Sequence, residues 1–165
     1  KNNITRLCCC LFIVSCDSLP YGTHLLKGIT LDSAKNVLRN FANAGILTHA
    51  YLMYGFPTQT KTETMSALRF VRDRIAEGSL NSAFWHRFAL TTHSPIARTP
   101  DAFNISILPS PPVPKRFAEN ELFFKSKTTS DINRIGKILS HATYNYMQGL
   151  GLDEPVSMWE RMLAE

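Results

Sequence analysis

The residues whose types and spacing could do chemistry lie in two short stretches, and the first is the loop 54–60, Tyr-Gly-Phe-Pro-Thr-Gln-Thr. Gly55 would let the backbone turn and let a ligand approach it closely, and Pro57 would stiffen the turn. Thr58, Gln59 and Thr60 would place hydroxyl and amide groups beside the free N–H groups of a helix N-terminus. An ordinary strand-to-helix turn with Thr60 as the N-cap explains the same residues, so both interpretations stay open.

The second stretch runs from Trp85 to Pro95 and combines aromatic, imidazole and guanidinium groups. On a strand, His86 and Phe88 share one face, and Arg87 lies on the other. A histidine and an arginine inside an aromatic strand are costly to bury unless they are paired or face a polar cavity. The pattern therefore predicts a lined pocket with His93 and Ser94 at its rim; a structural histidine and a surface arginine are the alternative.

Several sharper motifs are absent from the sequence. It contains no Gly-x-Gly-x-x-Gly, no phosphate-binding P-loop, no His-Glu-x-x-His and no Gly-x-Ser-x-Gly. The five histidines lack paired metal-ligand spacing, and carboxylates are too sparse in the predicted loops for a glycosidase-like acid pair. The sequence thus predicts no catalytic residue and no metal ligand.

The composition describes a soluble globular chain of about one domain. It has 165 residues, 44% of them hydrophobic and 19% charged, and a net charge of +5 from scattered basic residues. That balance favours neither a membrane nor nucleic acid as a partner.

All four cysteines fall within the first 16 residues, which is not a disulfide framework and favours a cytoplasmic protein. The apolar run Leu7–Cys16 is too short to span a bilayer and predicts a buried strand, with a signal-peptide core as the alternative.

Hydrophobic periodicity predicts alternating helices and strands after this run. Helices are expected over 31–44, 60–77 and 131–147, with a short last helix over 155–164. Strands are expected over 46–54 and 82–91; the first is so apolar that both its faces are expected to be covered, as in a parallel sheet. The proline-rich stretch 92–114 is expected to be an irregular loop. This order predicts an α/β fold built from parallel strand–helix units.

From Lys27 to about Glu160 the sequence resembles the C-terminal half of radical S-adenosylmethionine (SAM) enzymes. The likeness is greatest to the branch that often carries a cobalamin-binding domain. Matching segments occur in the same order along the chain, and together they are more specific than the Gly-Phe-Pro loop alone. They are Lys27–Thr30, Asn40–Ile46, Ala50–Thr60, Phe84–Thr91, His93–Pro95, Phe117–Asn120 and Tyr144–Gly149.

The resemblance implies a fold, cofactors and a site. The fold would be a partial (β/α) barrel of radical SAM type, its C-terminal half, with a C-terminal helical extension. The parts would be a poorly matching segment 1–26, barrel units 27–92, and a proline-rich loop with helical extension 93–165. The cofactors would be SAM and a [4Fe–4S] cluster, with cobalamin a further possibility. The adenosine site would be lined by Leu52, Tyr54, Gly55, Phe56, Pro57, Gln59, His86 and Phe88, and the substrate pocket by Arg87, His93 and Ser94.

The chain also departs from that family. The cluster-binding Cys-x-x-x-Cys-x-x-Cys motif is absent, and Gln59 stands where the family usually has a glutamate. We therefore expect a truncated or frame-shifted piece of a radical SAM enzyme that lacks the N-terminal half of the barrel and is inactive alone. Its parent would cleave SAM reductively to a 5′-deoxyadenosyl radical and act on an unidentified small molecule or peptide. The alternative is a non-catalytic binding module, with RNA among its candidate partners.

Overall fold

The computed structural model describes residues 8–13, 30–109, 120–126 and 131–162. The helices are α1 (Leu31–Asn43), α2 (Lys61–Ala76), α3 (Pro95–Arg98), α4 (Ile132–Met147) and α5 (Ser157–Met162), with a 3₁₀ turn over Pro100–Phe103. The strands are β1 (Cys8–Ile13), β2 (Leu47–Tyr54), β3 (Ser82–Arg87), β4 (Leu90–Thr91), β5 (Ile105–Ile107), β6 (Glu121–Leu122) and β7 (Phe124–Ser126). Residues 1–7, 14–29, 110–119, 127–130 and 163–165 lie outside the described part of the chain. The predictions that fall there, including most of the poorly matching segment 1–26 and of the matching segments Lys27–Thr30 and Phe117–Asn120, lie outside it as well.

A parallel sheet of order β1-β2-β3 forms the centre of the fold. Buried and half-buried residues alternate along most of β2, with Thr48, Ala50 and Leu52 on the buried face. One face of β2 is therefore fully covered, as expected, and the other is half-buried. Its apolar residues fall on both faces, but only the face with Thr48, Ala50 and Leu52 is tightly packed. The α/β class is confirmed; the described sheet is open, and its place in a barrel stays a prediction.

Local capping explains where α2 begins. Thr60 accepts a hydrogen bond from the backbone N–H of Glu63 (3.2 Å), and the Glu63 carboxylate accepts one from the backbone N–H of Thr60 (2.6 Å). Such a reciprocal capping box satisfies two donors that a helix N-terminus otherwise leaves unpaired. Thr60 is therefore the N-cap, as one of the two interpretations of the loop expected. Helix α1 begins with a single N-cap hydrogen bond, in which the Thr30 hydroxyl accepts from the backbone N–H of Ser33 (3.1 Å).

Helices α1, α2 and α4 bury one face of the sheet in a single hydrophobic core. Helix α4 contributes Ile138, Leu139, Ala142 and Tyr146, and it contacts both α2 and β3. Its glycine, Gly136, lies against the Tyr54 ring of β2 so closely that a Cβ atom would overlap the tyrosine hydroxyl. The helix predicted over 131–147 is thus confirmed, and it belongs to the same core as the strands.

The predicted strand over 82–91 ends earlier than expected. Strand β3 stops at Arg87, and Leu90–Thr91 forms a separate short strand that pairs antiparallel with β6. The chain changes direction here because Phe88 and Leu90 pack into a second cluster, whose buried members are Phe56, Phe88, Leu90, Ile96, Phe103 and Ile105. The described part of the proline-rich stretch, 92–109, has more regular structure than expected, since it holds α3, the 3₁₀ turn and β5, which pairs with β7.

Candidate functional site

The Gly-Phe-Pro loop at the carboxyl end of β2 is held by its own hydrogen bonds. Gly55 has φ +77°, and its N–H donates to the side-chain oxygen of Gln59 (2.9 Å). The Gln59 N–H donates to the carbonyl of Phe56 (2.8 Å), and the Gln59 side chain is buried, with only 6% of the residue exposed. Gly55 also lies against Ile132 of α4, where a Cβ atom would overlap the isoleucine. The space that this glycine leaves is filled by protein.

The other loop residues predicted to line an adenosine site also have structural partners. Phe56 is buried and packs edge-on to Phe88 (centroids 5.1 Å apart), and Pro57 is buried beside it. Leu52 and Tyr54 lie on the face of the sheet that packs against α2 and α4. Contact with a ligand at this loop would therefore come mainly from backbone atoms.

His86 is different because it lies on the other face of the sheet and is exposed. We call that surface the open face and define it by His49 and Tyr51 of β2 and Phe84 and His86 of β3. The rings of Tyr51 and His86 stack with centroids 5.4 Å apart and planes 28° apart. His49 meets Tyr51 edge-on at 4.6 Å, and Phe84 meets His86 at 4.7 Å. The four rings form a continuous aromatic surface.

Two features of the open face set its chemistry. Phe84 is 53% exposed, unusually high for a large apolar side chain on a sheet. The Nδ1 of His49 shares a hydrogen bond with the Ser82 hydroxyl (2.7 Å), and burial lowers the pKa of this imidazole below its usual 6.5. The surface therefore offers flat rings and, at a pH above 6.5, the neutral imidazole of His49 held in a fixed orientation.

The predicted substrate-pocket residues are not brought together. Arg87 lies on the side of the sheet opposite to His86, where its guanidinium donates to the side-chain oxygen of Asn133 on α4 (3.3 Å). Ser94 is the N-cap of α3: its hydroxyl accepts from the N–H of Ala97 and donates to the carbonyl of Thr91. His93 is exposed in the turn just before it.

A separate cleft opens on the helix-covered side of the sheet. It has a volume of about 180 Å³ and lies between the N-termini of α2 and α4; its lining residues are Gly55, Gln59, Lys61, Thr64, Asp131, Ile132 and Ile135. Lys61 at its rim pairs with Glu160 (2.8 Å). The cleft is mostly apolar and brings together no catalytic pair.

Sequence reasoning missed His49, Tyr51 and Phe84. The signal that could have found them is period-two alternation, which places them at every second position of two neighbouring strands. Among the residues whose side chains the structure describes, no three His, Cys, Asp or Glu are placed to hold a metal ion. Within the same described part of the chain, no helix is both long and apolar enough to cross a bilayer.

Neither a protein-family model, nor a curated protein, nor a solved structure matches this chain. The kinship with radical SAM enzymes therefore rests on the motifs of the sequence and stays a prediction.

Proposed function

We propose that this chain binds an adenosine-containing small molecule of the SAM type on the open face of its parallel sheet. The observation that carries the proposal is the stacked pair of Tyr51 and the exposed His86, flanked by the exposed Phe84. Aromatic rings attract one another in offset-stacked or edge-on arrangements, and a purine adds a further ring of the same kind. The exposed rings of His86 and Phe84 thus offer a surface that a base could cover.

The position of His86 supports the same ligand class. It lies one residue before the end of β3, in register with Met53, and so near the carboxyl ends of the parallel strands. Ligands of α/β proteins bind at that edge, because the connecting loops meet there. The resemblance independently assigns His86 a place near the adenine. The place of His86 on the strand and the resemblance therefore favour the same residue.

The [4Fe–4S] cluster of the resembled family does not fit the residues present. Its three-cysteine motif is absent, since the cysteines stand at positions 8, 9, 10 and 16 and no two are four residues apart. A role for cobalamin rests on the resemblance alone. What this chain contributes is ligand binding and orientation.

Calorimetric titration of the whole chain with SAM, 5′-deoxyadenosine and methionine tests the proposal. We expect saturable binding of SAM and 5′-deoxyadenosine, and no binding of methionine, because the rings recognise the nucleoside. His86→Ala and Phe84→Ala should each weaken binding about fivefold or more, since stacking of one base on an aromatic side chain contributes about 1–3 kcal/mol.

Phe123→Ala is the matched control, because Phe123 is 50% exposed, close to the 53% of Phe84, but lies between β6 and β7. It should leave the affinity unchanged. Absence of saturable binding by either adenosine compound, or equal losses for Phe84→Ala and Phe123→Ala, would contradict the proposal.

Single-stranded RNA is the second candidate, and the exposure of Phe84 is the observation that favours it. Sheet faces with exposed aromatic side chains bind unpaired bases in several RNA-binding folds. The two candidates differ in their dependence on salt, because RNA binding weakens steeply as the salt concentration rises whereas binding of a nucleoside without phosphates does not. Titration of a short oligonucleotide at two salt concentrations separates them.

A further inference from the structure

A serine and a histidine on neighbouring strands form a close pair on the open face. His49 of β2 is in register with Ser82, the first residue of β3, and the Nδ1 of His49 lies 2.7 Å from the Ser82 hydroxyl oxygen. Both residues are half-buried. The pair lies at the amino-terminal end of β3, whereas His86 lies near the carboxyl end of the same strand. It is therefore separate from the ring that carries the nucleoside proposal.

The pair has the geometry of a nucleophile and its base. A serine hydroxyl becomes an effective nucleophile when a neutral imidazole at about 2.6–3.2 Å accepts its proton. In the tautomer with its proton on Nε2, the Nδ1 of His49 accepts a hydrogen bond from the Ser82 hydroxyl. Burial lowers the pKa of His49 below its usual 6.5, so the imidazole is neutral and able to accept a proton at pH 7. Its edge-on contact with Tyr51 helps to fix the ring in this position.

Aromatic rings lie next to this pair on the same face. Phe84, which is 53% exposed, is two positions after Ser82 on β3, and Tyr51 is in register with Phe84. Alternate residues along a strand are about 6.6–7 Å apart. An apolar group attached to Ser82 can therefore extend over these rings.

The backbone supplies a hydrogen-bond donor beside the nucleophile. The N–H of Asn81 donates to the carbonyl of Thr48 on β2 (3.2 Å). Successive N–H groups of a strand point to opposite sides, so the N–H of Ser82 is directed away from β2, at the edge of the described sheet. A donor in this place can stabilise the negative charge that develops on an attacked carbonyl oxygen.

We infer that Ser82 and His49 act as nucleophile and general base in acyl transfer from small esters with an apolar acyl group. The Ser82 oxygen forms a bond to the carbonyl carbon while its proton passes to the Nδ1 of His49. The proton then passes to the leaving alkoxide as the ester C–O bond breaks, so an alcohol leaves and the acyl group stays on Ser82. Water, deprotonated by His49, then attacks the acyl-serine and releases the carboxylic acid, and Ser82 regains its proton from His49.

The test is treatment of the whole chain with a fluorophosphonate ester, followed by peptide mapping with mass spectrometry. An activated serine attacks the phosphorus of this probe and displaces fluoride, and the phosphonyl group stays attached. We expect Ser82 to be labelled at least about 100-fold faster than Ser94, because a positioned general base contributes about 10²–10⁴-fold. Ser94 is the comparison within the same chain, since its hydroxyl donates at 2.8 Å to the Thr91 carbonyl, which is not a base.

His49→Gln should slow the labelling of Ser82 about 100-fold or more, because glutamine can form a hydrogen bond but does not take the proton. His141→Gln is the matched control. His141 is exposed on α4, its Nδ1 lies 3.0 Å from the Lys137 carbonyl, and its replacement should leave the labelling rate unchanged. Wild-type chain should also hydrolyse 4-nitrophenyl butyrate, and Ser82→Ala, which keeps every thiol of the chain, should lose this activity.

Labelling of Ser82 no faster than that of Ser94, an unchanged rate in His49→Gln, or equal ester hydrolysis by Ser82→Ala would overturn the inference. Far-ultraviolet circular dichroism identifies unfolded variants. The comparison of Ser82 with Ser94 needs no variant, so it decides the matter even if His49→Gln fails to fold. The inference does not rest on the nucleoside proposal, because covalent labelling is measured without any nucleoside.

Discussion

At the scale of single residues, Gln59 shows how a residue that is a candidate ligand from sequence can instead be structural. Its side-chain oxygen accepts the Gly55 N–H at 2.9 Å, and only 6% of the residue is exposed. In the resembled family a glutamate usually stands here, and either side chain supplies the acceptor. The Gln59 side chain therefore holds the loop in shape through its hydrogen bond to Gly55.

Replacing Gln59 with leucine should destabilise the fold by about 1–3 kcal/mol, because the Gly55 N–H then loses its acceptor in a buried place. Urea unfolding measures the change in the free energy of unfolding. Gln148→Leu is the control: Gln148 is exposed at the end of α4, and the same substitution there should change stability by less than about 0.5 kcal/mol. Equal effects at both positions would show that the loop hydrogen bond contributes nothing.

Tyr146 gives a prediction about pH. Its hydroxyl accepts a hydrogen bond from Trp159 (2.8 Å), and burial raises its pKa above the usual 10.0, although the Trp159 hydrogen bond opposes this. The folded state thus prefers the neutral phenol, so its contribution to stability is fully present below pH 10.0 and is lost as the pH rises through the folded-state pKa.

Stability measured across this alkaline range should fall less steeply in Tyr146→Phe than in the wild-type chain. Tyr144→Phe, which removes a hydroxyl from a residue on the same helix that is 63% exposed, should keep the wild-type slope. An unchanged slope in Tyr146→Phe would mean that the titration of other groups causes the loss of stability at alkaline pH.

At the scale of secondary-structure elements, the sequence predicted α1, α2, β2 and α4 within a few residues. Their amphipathic or apolar patterns end at residues with strong local preferences, such as Thr60 at an N-cap and the glycines after α1 and α2. The break after β3 was not predictable locally, because Phe88 continues the aromatic pattern. It leaves the sheet only because a second cluster is there to bury it.

The limit of local sequence patterns also explains why the residues predicted to form the site do not lie together. Alternation divides β2 into two sets of side chains but does not say which set the helices cover. The resemblance implied Leu52 and Tyr54, which pack toward the helices, whereas Tyr51 and His49 lie on the open face. The side is decided by where α2 and α4 pack, which is a tertiary property.

The contact between the loop and α4 can be tested with glycine substitutions. Gly55→Ala meets two penalties, a positive φ of 77° and overlap with Ile132, whereas Gly78→Ala meets only a positive φ of 75° with open space around it. We expect Gly78→Ala to cost about 1–2 kcal/mol and Gly55→Ala to cost more. Ile132→Val removes the nearest overlapping atom, so the double variant Gly55→Ala/Ile132→Val should be less destabilised than the sum of the single variants. Additive losses would show that loop and helix do not meet.

At the scale of the whole molecule, the question is whether the strand–helix units and the segment that follows them unfold together. The two tryptophans, Trp85 in β3 and Trp159 in α5, belong to one hydrophobic core. Trp85 donates to the Thr143 hydroxyl and Trp159 to the Tyr146 hydroxyl, both at 2.8 Å, and both acceptors are on α4. Helix α4 thus links the sheet to the C-terminal helix through buried contacts on both sides.

We therefore expect one cooperative transition. Fluorescence of Trp159→Phe, which reports Trp85, and of Trp85→Phe, which reports Trp159, should each change in step with circular dichroism of the same variant. Leu139→Ala, at a fully buried position of α4, should shift both transitions together by about 2–5 kcal/mol, because the cavity it leaves weakens the core that both tryptophans share. If residues 93–165 were an independent extension, Leu139→Ala would lower the Trp159 transition and leave the Trp85 transition in place.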